Sequence, residues 1–130
     1  MPEARNILNQ YLMVFAGAGL GGVARFFVAT LVGARFAGRF PLGTFLINVT
    51  GSFAIGLLMT ILTERITPHP YWRPFLVVGV LGGYTTFSSF EWETLYAARH
   101  GAGAIGLLYV LSSVAIGYLA VWLGAMIARP

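Results

Sequence analysis

At 130 residues, 58% hydrophobic and 9% charged, the chain has too few polar side chains to coat a soluble globule, and its mean hydropathy of +0.80 places it in a membrane. A formal charge of +4 would suggest nucleic acid in a soluble protein, but the eight arginines stand singly between apolar segments, so no basic binding patch forms. The absence of cysteine excludes disulfides, thiolate metal sites and cysteine nucleophiles.

Four apolar segments each approach the ~20 residues that span a bilayer, at about 11–31, 42–62, 74–99 and 103–128. They predict an all-α membrane protein in which residues 1–130 form a single four-helix transmembrane domain. The start of the first segment could pass for a signal peptide. Residues 1–10 balance one arginine against one glutamate, however, and the apolar run continues past Gly22, so a retained helix is expected. Gly17 and Gly21 form a small-residue stripe on that helix, suited to close helix contact. Arg25 continues the four-residue spacing and either snorkels to the headgroups or sets a positive potential in a vestibule.

On the second helix Thr44, Asn48, Ser52 and Gly56 recur every four residues and share one face, which must meet protein or water. Asn48 lies deep enough that its amide needs partners, either as a bond between helices or in a pore wall.

The third segment carries the main signal. Gly79 to Phe90 reads Gly-Val-Leu-Gly-Gly-Tyr-Thr-Thr-Phe-Ser-Ser-Phe, a glycine-broken, hydroxyl-rich run inside an apolar stretch. A helix broken near Gly82–Thr86 at membrane depth survives where it is buried in protein or lines a polar cavity, and such breaks mark ion or substrate sites. Carbonyl oxygens freed at Gly82-Gly83 would want donors or a cation, with close backbone approach the rival reason for the glycines. Phe87 and Phe90 share a face if helix resumes after the break. Phenylalanine commonly faces lipid, yet Thr85, Thr86, Ser88 and Ser89 make a poor lipid surface. Ring edges carry partial positive charge, so Asn48, serine hydroxyls and two ring edges compose a donor lining suited to a small hard anion. On the fourth helix Tyr109 and Ser113 stand one turn apart, and Gly106, Ser113, Gly117 and Gly124 follow one face for helix contact.

Counting arginines gives no preferred orientation. Arg5, Arg65, Arg73 and Arg129 fall on one side and Arg35, Arg39 and Arg99 on the other. Insertion in both orientations is therefore expected, with two copies pairing antiparallel, although a partner subunit could instead fix one orientation.

These residues resemble the Fluc (CrcB) family of small fluoride channels over nearly the whole chain. The matching pieces are Gly21-Gly22-Val23-Ala24-Arg25-Phe26, then Gly43-Thr44 with Asn48, Gly51, Phe53 and Gly56, and most specifically Gly79 with Gly82 through Phe90. The resemblance implies an antiparallel homodimer in a bacterial plasma (inner) membrane, passively exporting cytoplasmic fluoride and so reducing its toxicity, with no enzymatic activity. It further implies a structural Na⁺ at the dimer centre, held by the main-chain carbonyls of Gly82 and Thr85. Asn48, Phe87, Phe90, Ser89, Tyr109, Ser113 and Thr44 would form the fluoride path, and Arg25 would sit near a vestibule.

The alternative is a small proton-coupled multidrug-type exporter, which needs a membrane carboxylate. Only Glu91 and Glu93, after the break, could supply it, and both are otherwise expected at a solvated mouth near Arg99 and His100. A membrane enzyme lacks any nucleophile or carboxylate constellation, since His69 and His100 lie in loops.

Overall fold

The computed structural model describes residues 2–130 and is helical nearly throughout. Helix α1 spans Pro2–Arg35 and α2 spans Leu42–Thr60, prolonged by a π-wound turn over Ile61–Arg65. Helix α3 is π-wound over Arg73–Leu81 and closes with one α turn, Gly82–Tyr84. Helices α4 and α5 span Phe87–Arg99 and Gly103–Ala128.

Three helical stretches, Glu3–Arg35, Leu42–Arg65 and Gly103–Ala128, are long and apolar enough to cross a membrane, as a multi-pass membrane protein requires. The segment at 73–99 is apolar but divided, and no single helix of membrane length runs through it. Helix α1 extends beyond the expected 11–31 at both ends. Its 34 residues rise about 51 Å against a hydrocarbon layer of about 30 Å, so its polar first turns belong to the aqueous interface. Hydropathy marks where lipid is, not where helix stops.

Helix α1 lies against α3, and α2 against α5. The glycine stripes read from the sequence are the contact lines. A Cβ built on Gly17 would stand 2.9 Å from the Gly79 Cα, and one on Gly124 would meet the Leu57 amide nitrogen at the same distance. Only hydrogen fits there, so the backbones approach as small-residue membrane crossings do. The polypeptide turns between α4 and α5 at Gly101, whose φ of +73° favours glycine.

Large apolar side chains, including Phe15, Val23, Phe26, Leu107 and Val114, point outward, while Ile47 and Tyr109 are fully enclosed. This inside-out distribution suits a hydrocarbon solvent.

Candidate functional site

The break in the 73–99 segment falls at Thr85 and Thr86, whose φ/ψ values of −77°/158° and −150°/121° are extended. Gly82 stays helical at −63°/−37°. This corrects the expectation that the glycines themselves break the helix. Gly83 serves proximity, since a Cβ there would press on the Ala18 backbone at 3.0 Å from its Cα, whereas one on Gly82 would meet no atom nearer than 3.9 Å. The threonine hydroxyls finish the helix ends on either side of the break. Thr85 Oγ1 donates to Leu81 O at 2.9 Å, and Thr86 Oγ1 accepts from Ser89 N at 3.3 Å while donating to Ser89 Oγ at 3.0 Å. Thr86 is thus the N-cap of α4, and helix resumes at Phe87.

Asn48 completes the break. Its Nδ2 donates to Thr86 O at 2.9 Å, and its Oδ1 accepts from Thr86 N at 2.9 Å. A side-chain amide thereby takes the place of the helical partners of both backbone groups of one residue. The two sequence readings of Asn48 merge, because it binds α2 to the break and also lines the adjoining cavity.

That cavity, about 400 Å³, is walled by Asn48, Gly82, Thr85, Phe87, Phe90 and Ser113 among others. The Phe87 and Phe90 rings stand 5.8 Å apart, centre to centre, at 40°. Phe87 is 70% exposed in the single chain, so the cavity has an open side. Ser113 Oγ is enclosed and has no hydrogen-bond partner among the described residues. One amide hydrogen of Asn48 is also left over, since only one Nδ2–H is used by Thr86 O. Spare donors and aromatic rings therefore face one space, as the donor-lining argument requires.

The remaining expected path residues lie elsewhere. Tyr109 and Thr44 do not line this cavity. Tyr109, 0% exposed, touches Phe90 edge-on at 5.0 Å between centroids and donates to Glu93 Oε2 at 2.8 Å. Thr44 Oγ1 donates to Glu93 Oε1 at 2.7 Å. Glu93 is thus partly enclosed and held by two hydroxyls although it still lines a cavity with His100, whereas Glu91 is exposed. The missed signal was helical spacing, since Glu93 lies one turn before the buried Ala97 on the face that meets Gly106 of α5. Ser89 Oγ accepts from Thr86 Oγ1 and keeps its own hydroxyl hydrogen, but Ser89 does not line this cavity. Arg25, half-buried on α1, lines none of the cavities described here.

Around the break several carbonyls lose their helical donors. Thr86 N is taken by Asn48 and Ser89 N by Thr86 Oγ1, so among the described residues the Gly82 and Thr85 carbonyl oxygens have no hydrogen-bond partner. Main-chain oxygens are hard ligands of the kind that suit alkali and alkaline-earth cations. No cluster of three or more His, Asp or Glu residues able to hold a metal is found among the described residues.

The sequence compares closely with known proteins. Residues 12–125 match the family model described as CrcB-like protein, Camphor Resistance (CrcB). The chain belongs to the CrcB-like family. It is 59% identical over 120 residues to the fluoride-specific ion channel FluC of Solibacter usitatus, covering 92% of this chain and 98% of that one. Identity is 49% over 120 residues to the FluC of Acidobacterium capsulatum, with 92% and 96% covered, and 42% over 122 residues to that of Rhizobium meliloti, with 94% and 98% covered. The CrcB-like match takes in Asn48, the Thr85–Thr86 break, both phenylalanines, Glu93 and Ser113.

Proposed function

We infer that this chain is a fluoride-specific channel that lets cytoplasmic fluoride leak outward, and not an enzyme. The relatives' names support the substrate. The observation that carries the reading is the enclosed, unpartnered Ser113 hydroxyl facing Phe87, Phe90 and Asn48. Fluoride holds its hydration tightly, so it needs several short donors in exchange, and a lining without a basic side chain lets it leave again. Helix α4 also begins at the cavity, and the free N–H groups and positive dipole end of such a start favour an anion.

The break lets residues 73–99 serve as a fourth, discontinuous crossing, giving one four-helix domain over residues 1–130. Two copies then pair antiparallel in the bacterial plasma membrane, in contact with its lipid. The near balance of arginines between the two ends supports this pairing, and so does the exposed Phe87 beside an open cavity, which a second copy would close. The Gly82 and Thr85 carbonyls, left without donors, fit Na⁺ by number and hardness, and two copies would double them. When bound, Na⁺ supplies a fixed positive charge that satisfies those oxygens. Asn48, Thr86, Phe87, Phe90 and Ser113 do the rest: the first two hold the backbone open, and the others present ring edges and a hydroxyl.

The exporter reading has no support from the relatives, and the hydroxyls of Thr44 and Tyr109 occupy both oxygens of its candidate carboxylate, Glu93. The test is fluoride efflux from liposomes loaded with potassium fluoride, with valinomycin carrying compensating K⁺. Rapid fluoride release with chloride retained is expected, and Phe90→Ile should slow it while the protein keeps its gel-filtration position. Release that ignores the identity of the halide would overturn the reading.

A further inference from the structure

A second cavity, about 470 Å³, lies at the end of the bundle where α4 stops, bounded by Arg39, Trp92, Glu93, Tyr96 and His100. It is separated from the first by a continuous set of contacts. Phe90 of the first cavity touches Tyr109, Tyr109 holds one oxygen of Glu93, and Glu93 forms part of the second cavity's wall. The His100 ring stacks on Tyr96 at 3.9 Å and 21°, and its Nδ1–H donates to Tyr96 O at 2.8 Å, so the ring is a fixed wall. Arg39 belongs to the stretch between α1 and α2, is exposed, and has no carboxylate or carbonyl partner among the described residues. Arg35 and Arg99 end their helices on the same side of the sequence tally.

Charge makes this arrangement consequential. Glu93 alone would give the cavity a negative potential and repel an anion. A guanidinium that is always charged, placed in the same wall and left unpaired, reverses that bias. We propose that this second cavity is an outer anion site, the mouth through which a hydrated halide reaches the donor-lined path, and that Arg39 is the residue that concentrates the anion there. The inference rests on the fluoride-channel reading. The cavity is far larger than a bare halide, so it receives the ion with its water and exerts no size selection; its role is local concentration.

The test compares fluoride efflux of Arg39→Gln, Arg39→Lys and Arg39→Glu with the unaltered protein, in liposomes at about 10 mM and about 1 M ionic strength. Removing one unit charge at contact range lowers the low-salt rate roughly two- to three-fold, and reversing it lowers the rate about five-fold or more. In ~1 M salt, where screening acts within ~3 Å, the variants converge on the unaltered protein, and Arg39→Lys matches it throughout. Equal rates for Arg39→Glu and the unaltered protein at low salt would overturn the mouth. So would a deficit of the same size at both salts, which marks a structural defect. An unaltered protein without fluoride efflux would instead overturn the underlying function, so the two failures are distinguishable.

Discussion

Ser113→Ala should raise stability and lower fluoride conduction together. The Ser113 hydroxyl is enclosed without a partner, and an unmet buried hydroxyl costs about 1–3 kcal/mol. Alanine removes that cost and forfeits a few atom contacts at ~0.1–0.2 kcal/mol each, leaving a gain of about 1 kcal/mol or more. In the conducting state the same hydroxyl donates to an anion, a bond of about 1.5–3 kcal/mol, so its loss weakens fluoride binding roughly ten- to hundred-fold. Two assays on one preparation check both halves: thermal unfolding in detergent followed by gel filtration, and initial efflux from fluoride-loaded liposomes. A variant that unfolds earlier yet conducts normally would refute the argument, because the hydroxyl would then be a structural bond with no part in the path.

Asn48→Ala strands both the N–H and the C=O of Thr86, at about 1–3 kcal/mol each, so the loss of about 2–6 kcal/mol should lower the unfolding temperature and abolish flux. Thr86→Val removes the α4 cap and should cost about 0.5–2 kcal/mol in the same unfolding assay, with Thr86→Ser restoring most of it. Gly17→Ala forces a methyl into the α1–α3 crossing and should destabilise by about 1–3 kcal/mol, whereas Gly19→Ala, with nothing within 4 Å of its Cβ, should leave the unfolding temperature unchanged.

Composition and glycine spacing made the membrane class, the helix contact lines and the location of the break legible. They did so because lipid imposes strong, local rules on hydropathy and on backbone satisfaction. Residue periodicity also put Thr44, Asn48 and Ser52 on one inward face, where Thr44 meets Glu93 and Asn48 meets Thr86. The cause of the break was not legible, since a glycine pair is the stronger local signal, while the tie between Asn48 and Thr86 joins residues 38 apart. The hydroxyl bonds to Glu93 were not legible for a similar reason. A carboxylate near a helix end reads as solvated unless its two hydroxyl partners, one on α2 and one on α5, are known. The π winding of Arg73–Leu81 has no sequence signal that we can identify.

The bond between Asn48 and the Thr86 peptide also orders the steps of biosynthesis. While residues 73–99 emerge from the ribosome, α2 has already been made, and the amide that will hold Thr86 is already in the bilayer. Without that amide the Thr86 N–H and C=O would face hydrocarbon unpaired, so the newly inserted segment is better satisfied as an unbroken helix. The extended residues then arise by exchange, when Asn48 reaches the segment and replaces its internal bonds. A peptide of residues 73–99 alone in lipid should accordingly be helical through Thr85 and Thr86 by amide hydrogen exchange, and protection absent there would show that the break is local in origin. On this account the channel's defining irregularity is a product of helix assembly, acquired only after the helices have met.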